Sequence, residues 1–127
     1  MEFALAWPVL LLVVFGCIQV AVWGSEQHAA GSAALAGARA GSAADSSADA
    51  ASAVTLAALR PSLIGATVAP WCGGPRRPAG VWVCARVDER SARVQVGGDV
   101  PALVPLPGPR GLPLSADVSI ARERFAP

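Results

Sequence analysis

The feature that most constrains this chain is an uncharged apolar run near its start. Residues 4–23, ALAWPVLLLVVFGCIQVAVW, contain a single clearly polar side chain, Gln19. As an α-helix, a run of this length covers about 30 Å, the thickness of a hydrocarbon core. A lone segment in lipid must be helical, because its backbone N–H and C=O groups have to be satisfied within the segment. We therefore predict a transmembrane helix, with Trp7 and Trp23 as membrane-interface residues near its two ends.

Three other interpretations of this run are a buried core helix, a cleaved signal peptide and a lipoprotein anchor. The rest of the 127-residue chain is too short and too rich in alanine to enclose a core helix of this size. A secretory signal begins with basic residues, whereas Met1, Glu2 and Phe3 include an acid and no base. Phe15-Gly16-Cys17 resembles a lipobox, but the phenylalanine fits that motif poorly. We favour a retained anchor over a lipoprotein, and a lipoprotein over a cleaved signal.

Two cysteines indicate on which side of the membrane the rest of the chain lies. Cys72 and Cys84 flank a loop containing Gly73-Gly74-Pro75 and Pro78-Ala79-Gly80, which lets the chain reverse. A disulfide closing so short a loop would contribute about 3 kcal/mol, and small exported domains often depend on such bonds. The alternative is two unrelated buried thiols. We predict the Cys72–Cys84 disulfide, and hence a single-pass protein of the cell membrane with an extracytoplasmic C-terminal domain.

The segment that follows the apolar run, residues 25–60, is dominated by Ala, Ser and Gly. Alanine is the best helix former, and no proline interrupts the segment before Pro61. We predict a helical stem that continues from the membrane to about Leu59 and frays near residues 45–47. Its small residues would let another helix approach closely. A low-complexity, partly disordered linker is the alternative.

From residue 61 onward the apolar residues alternate with a period of two, which is typical of strands. We predict a strand over residues 63–68, a β-hairpin over 81–96 that turns at 88–90, and a last strand over 114–121. The five prolines between residues 101 and 113 predict an extended, polyproline-like connection. The expected fold is α+β, with a small antiparallel sheet covered by residues 54–59. The expected segments are an anchor (1–24), a helical stem (25–60) and a β domain (61–127).

The chain offers little for catalysis. His28 stands alone, and Asp45 and Asp49 are spaced as on a solvated helix face. Arg76-Arg77 lies in a glycine–proline turn without the strand–loop–helix context of a phosphate site. A net charge of +1 implies no polyanionic partner. We therefore predict no enzyme activity, no cofactor, no metal, and neither a nucleic-acid nor a small-molecule ligand.

A protruding apolar helix followed by a small β domain is the outline of a type IV pilin. The start of the chain, EFALAWPVLLLVVFGCIQVAVW, resembles TadE-like proteins of the tight-adherence pilus system. Glu2-Phe3-Ala4-Leu5 followed by Pro8-Val9-Leu10-Leu11-Leu12 matches the opening run of that family in order, and residues 36–41 echo a later Ala-Arg-rich segment. The resemblance is dense over the first forty residues and loose beyond them.

The resemblance implies a structural role. Family members carry a basic leader that a prepilin peptidase removes after a glycine. Met1 stands just past that position, so we expect a start codon further upstream; the alternative is an unprocessed member. The glutamate after the cleavage site pairs with a neighbouring subunit in pilin-like proteins, which would give Glu2 a role in subunit assembly. The alternative is that Glu2 rests in the aqueous headgroup zone.

The predicted function is therefore a minor pilin or pseudopilin of a tight-adherence pilus or a related secretion apparatus. Its partners would be the lipid bilayer, other pilin-like subunits and pilus-assembly membrane proteins. The alternative is a membrane-tethered extracytoplasmic binding module, lipidated at Cys17 and without a pilus role.

Overall fold

The computed structural model describes residues 2–104 and 111–122, without the side chain of Glu2. Two helices come first, and four strands follow. The elements are α1 (Glu2–Ser42), α2 (Ala48–Leu59), a short 3₁₀ helix (Arg60–Ser62), β1 (Val68–Pro70), β2 (Val81–Val87), β3 (Ser91–Pro101) and β4 (Gly111–Ala121). The predicted α+β class is confirmed.

Helix α1 is 41 residues long and therefore spans about 60 Å. Every side chain from residue 3 to residue 18 is exposed, and we call this segment the free half of α1. The most apolar stretch of α1 has a mean hydropathy of 2.4, and only 6% of it is buried. A core helix of a soluble protein would be covered by its neighbours, so that alternative does not apply. A signal sequence would meet the same criterion of length and composition.

The Ala-rich segment differs from the prediction of one continuous helix. Helix α1 ends at Ser42, and α2 begins at Ala48 after a turn. Ser47 is the N-cap of α2, because its side-chain oxygen accepts a hydrogen bond from the Ala50 N–H at 3.2 Å. The chain reverses at this turn, and α2 runs back along α1, burying Ala51, Thr55 and Leu59.

The sheet has the strand order β1-β2-β3-β4. Strands β2, β3 and β4 pair antiparallel, whereas β1 pairs parallel to β2, so the sheet is mixed rather than purely antiparallel. The β2–β3 hairpin lies where it was predicted, and its turn is closed by a hydrogen bond from the Asp88 N–H to the Ser91 carbonyl at 2.8 Å.

Three strands depart from their predicted limits, and β4 does so by beginning at Gly111 rather than at residue 114. Strand β1 covers residues 68–70 instead of 63–68, because Leu63 is buried after the 3₁₀ helix and Gly65 turns the chain with a φ of +69°. Strand β3 runs on through Gly97, where a Cβ would lie 2.5 Å from the ring of Trp82. Glycine thus lets the strand pass beneath the indole.

The proline-rich connection between β3 and β4 is shorter than predicted. Pro101 still belongs to β3, and β4 begins at Gly111. The predicted polyproline-like conformation of residues 105–110 lies outside the described residues.

The core lies between the helices and one face of the sheet. Helix α1 packs on β3 and β4, and α2 packs on β1 and β2. The cover is therefore larger than the predicted segment 54–59. The buried apolar side chains are Ala30, Ala33, Ala34 and Ala38 of α1, Ala51 and Leu59 of α2, Leu63, and Val81, Val83, Val94, Val96, Val100 and Leu114 of the sheet.

Candidate functional site at the helix–sheet junction

The second half of α1 carries a stripe of small and polar side chains that face the globular part. We call residues 26–41 the packed half of α1. Its buried residues recur at intervals of three and four, which places them on one helix face. They are Glu26, Ala30, Ala33, Ala34, Gly37, Ala38 and Gly41. This stripe holds the sheet and α2 against the C-terminal part of α1.

The closest contact in this region joins α1 to α2. A Cβ added at Gly37 would lie 1.9 Å from the hydroxyl oxygen of Thr55 and 2.9 Å from the carbonyl oxygen of Ala51. Thr55 is fully buried, and its hydroxyl donates to the Ala51 carbonyl at 2.8 Å. Small residues therefore set the distance between the two helices.

Four residues around the C-terminal end of the apolar run form hydrogen bonds with the β domain. We call Gln19, Trp23, Glu26 and Gln27 the junction residues. Their spacing of four, three and one places them along one side of α1. Each contacts backbone groups of a loop or strand and no other helix side chain in the described hydrogen bonds.

Gln19 is the polar residue of the apolar run, and only 6% of it is exposed. Its Oε1 accepts hydrogen bonds from the backbone N–H groups of Leu103 at 2.7 Å and Val104 at 3.1 Å. The connection between β3 and β4 is thereby held against the helix. These two bonds satisfy both the Gln19 amide oxygen and two backbone N–H groups of the loop, at a position surrounded by apolar residues.

Trp23 and Gln27 bind the edge strand β4. The Trp23 Nε1–H donates to the Pro113 carbonyl at 2.9 Å. The Gln27 amide donates to the Ser115 carbonyl and accepts from the Ser115 N–H at 3.3 Å. A side-chain amide that makes both bonds takes the place of a neighbouring strand, so part of the β4 edge is covered by α1.

Glu26 connects α1 to the segment after the 3₁₀ helix. Its Oε1 accepts a hydrogen bond from the Ile64 N–H at 3.1 Å, and Glu26 is buried. A buried carboxyl group without a hydrogen-bond partner would be costly, and this contact supplies a partner.

The opposite face of the sheet carries the disulfide and a polar cluster. Cys72 and Cys84 are bonded, as predicted, and Trp71 and Trp82 pack edge-to-face beside them with ring centroids 5.4 Å apart. Among the described residues, the buried Trp82 Nε1 has no hydrogen-bond partner.

Arg93 and Asp117 form a two-point ion pair on this face. The Arg93 Nε–H donates to Asp117 Oδ1 at 2.9 Å, and an Nη–H donates to Oδ2. Hydrogen bonding by Arg93 lowers the pKa of the Asp117 carboxyl below its usual range, and the Gln95 amide adds to this effect. The same bond raises the pKa of Arg93. Both side chains are about half exposed, so the pair is a surface feature.

The predicted site residues are spread over the molecule. Trp7 lies exposed on the free half, whereas Trp23 is partly covered by β4. Cys17 is an exposed free thiol within the free half. The assembly role of Glu2 concerns a side chain that lies outside the described residues.

The residues considered for chemistry do not come together. His28, Asp45, Asp49 and the Arg76-Arg77 pair are all exposed and belong to different elements. Within residues 2–104 and 111–122, no group of three His, Cys, Asp or Glu side chains could hold a metal ion.

Sequence reasoning missed three of the four junction residues. Gln19, Glu26 and Gln27 are polar residues at helical spacing from Trp23, and that spacing was the available signal. A sheet covered by residues 54–59, as the sequence predicts, places no partner beside these three residues.

Comparison with known proteins agrees with the N-terminal resemblance. Residues 1–39 match the family model described as TadE-like protein, a segment that includes the free half, the junction and most of the packed half of α1. No curated protein and no solved structure matches the chain. Over residues 1–39, then, the chain is similar to TadE-like proteins.

Proposed function

We propose that this protein is a membrane-anchored minor pilin or pseudopilin that contributes to assembly of a tight-adherence pilus or a related secretion apparatus. The observation that carries the proposal is the match of residues 1–39 to TadE-like proteins, on a helix whose first half is apolar and uncovered. TadE-like pilus components are structural proteins, which agrees with a chain that we expect to lack catalysis. In this proposal residues 1–24 anchor the chain, 25–60 form the helical part, and 61–127 form an extracytoplasmic β domain.

The shape of the molecule suits a subunit that exchanges one apolar environment for another. In the membrane, lipid would surround the free half of α1. In an assembly, the same exposed surface could contact the helices of other pilin-like subunits, since it is not used by the β domain. The Cys72–Cys84 disulfide supports an oxidising, extracytoplasmic location for the sheet. Trp7 and Trp23 would mark the two membrane surfaces.

The test is deletion and complementation in the bacterium that encodes the protein. Deletion is expected to reduce the number of surface pili, and the wild-type chain is expected to restore them. A photo-crosslinker at Leu11 is expected to trap pilin-like subunits or pilus-assembly membrane proteins, whereas one at the exposed Arg86 serves as the control on the sheet. Unchanged pilus number together with lipid adducts alone at Leu11 would favour the tethered binding module instead.

Glu2 and Cys17 separate the two functions further. The Glu2→Gln variant is expected to enter the membrane normally but to fail in complementation, because it removes the charge proposed for subunit pairing. Asp45→Asn, in the exposed turn between the helices, is the matched control. Incorporation of labelled palmitate at Cys17 would identify a lipoprotein and overturn the pilin proposal.

A further inference from the structure

Two turns of the globular part expose large apolar side chains beside α1. Ile64 follows the 3₁₀ helix and is 55% exposed, and Leu103 follows β3 and is 52% exposed. The two turns adjoin, since a Cβ on Gly65 would be 3.5 Å from the Pro101 ring. We call Ile64 and Leu103 the apolar rim.

Hydrogen bonds to α1 set the height of the apolar rim along the helix. The turn at Leu103 is bound by Gln19, and the turn at Ile64 is bound by Glu26. These two helix positions are seven residues apart, which is about 10 Å along the axis. Trp23 lies between them, at the level that we propose for the membrane surface. The apolar rim therefore straddles this level, with Leu103 on the side of the free half.

The bonding at Gln19 suits a location within lipid. Backbone N–H groups that enter the hydrocarbon region must find partners in the protein, because water is absent there. Gln19 Oε1 accepts from both Leu103 and Val104, so these two donors are already satisfied at that depth. This also explains why the apolar run contains a glutamine on the side that faces the loop.

We propose that the apolar rim is a second membrane contact, inserted into the interfacial region of the outer leaflet beside α1. The partner is the lipid surface itself, because Leu103 is bound to Gln19, the residue that follows the free half, and its apolar side chain is exposed as those of the free half are. Burial of side chains at this boundary follows the same physics as in monotopic proteins. The inference rests on the membrane anchoring in the proposed function. It adds that the β domain is held against the bilayer at a fixed height and orientation.

The experiment places an environment-sensitive label at single positions of the full chain. In a Cys17→Ala background, which keeps the disulfide, Leu103→Cys and Ile64→Cys are each labelled with nitrobenzoxadiazole. The chains are reconstituted in vesicles of phosphatidylcholine with a minor fraction of phosphatidylglycerol. Val54→Cys is the matched control, because Val54 is an exposed apolar residue of α2 next to Thr55, which packs at the level of Gly37.

The expected result is quenching of the labels at positions 103 and 64 by lipids with a nitroxide near the headgroup. Iodide quenching in water should be roughly five-fold weaker at 103 than at 54, because an anion is excluded from the interfacial zone. Position 64 should lie between the two. Equal iodide quenching at 103, 64 and 54 would overturn the proposal. Protection of positions 103 and 64 from iodide that arises only at high protein density, without quenching by the nitroxide lipids, would also overturn it, since a neighbouring copy would then cover the rim.

A label at Leu11→Cys separates this inference from the anchoring on which it depends. If a nitroxide deep in the bilayer quenches position 11 while position 103 stays accessible to iodide, the anchor holds and the second contact is refuted. If position 11 is also accessible to iodide, membrane anchoring itself is wrong.

Discussion

The two halves of α1 belong to one uninterrupted helix but differ in composition and in what surrounds them. In the free half, Leu, Val, Phe and Trp cover all sides of the helix and are exposed. In the packed half, the covered face consists mainly of Ala and Gly, and the other faces mix polar residues with further small ones. A helix that is apolar on all sides requires an apolar surrounding, whereas a helix with one small-residue face requires close neighbours.

This difference in side-chain size and polarity shows how a small domain can be attached to a membrane helix without a linker. The packed half receives α2 and the sheet at short distance because its side chains are small. The junction residues end the packed half at about the level of Trp23, so the free half stays available over its whole circumference.

The largest effect is expected from charges that break the apolar character of the free half. The double variant Leu11→Arg/Val14→Arg should lower retention in membranes strongly, because each arginine near the centre of a span costs about 2.5–3.5 kcal/mol. The control His28→Arg/Ser32→Arg places the same charges at exposed positions of the packed half and should stay in the membrane fraction. Carbonate extraction of isolated membranes measures both. Equal extraction of the two variants would show that the halves do not differ in surroundings.

The next effect concerns the two kinds of cysteine. Cys72→Ala opens a loop closed over a separation of 12 residues and should lower the free energy of unfolding of the β domain by about 3 kcal/mol. Cys17→Ala, in the free half, should change it little, since its thiol is exposed and unbonded. Urea unfolding in detergent micelles, followed by tryptophan fluorescence, measures both variants. Equal stability of the two would contradict a structural role for the disulfide.

A smaller effect is expected from two glycines of α1 that differ in their surroundings. Gly37→Ala should destabilise the packing of α2 by about 1–3 kcal/mol, because the new methyl group collides with Thr55. Gly31→Ala has no atom within 4 Å of its new Cβ and should instead stabilise the helix by up to about 1 kcal/mol. Thermal unfolding followed by circular dichroism should shift in opposite directions. A shift in the same direction would mean that the helices are not packed through Gly37.

The smallest effect is expected at the Arg93–Asp117 pair, which lies on the face of the sheet opposite α1. Because the folded-state pKa of Asp117 is lowered, the stabilisation is present above its unfolded-state pKa near 4 and is lost as the pH falls through the lower folded-state value. Solvent exposure keeps this contribution small. Asp117→Asn should reduce the loss of thermal stability below about pH 4 and leave membrane retention unchanged. A pH dependence identical to that of the wild type would rule out the pair as its source.

The sequence was sufficient for features that depend on local periodicity. The apolar run predicted a helix with an exposed first half, and the alternating valines between residues 81 and 96 predicted the β2–β3 hairpin. The glycine–proline loop between Cys72 and Cys84 indicated the disulfide in the same way. In each case residues close in sequence determine the structure.

The features that sequence reasoning missed depend on contacts between distant residues. The reversal before α2 rests on the Ser47 cap and on packing of Thr55 against Gly37, and an Ala-rich segment has high helix propensity with or without that turn. Arg122, at the other end of the chain, donates to the carbonyls of Ala43 and Ala44 in this turn.

The junction depends on distant contacts in the same way. Gln19 and Leu103 are 84 residues apart, and nothing in their local sequence indicates that they meet. The parallel pairing of β1 with β2 is likewise a consequence of where the disulfide loop returns.

The most direct measurement is photolabelling of the full chain in membranes with a hydrophobic carbene reagent, followed by mapping of the labelled peptides. The expected result is dense labelling on all sides of residues 3–18 and none on the covered face of residues 26–41. Labelling of the packed half as strong as that of the free half, or an unlabelled free half, would contradict a helix divided near Trp23 between lipid and protein.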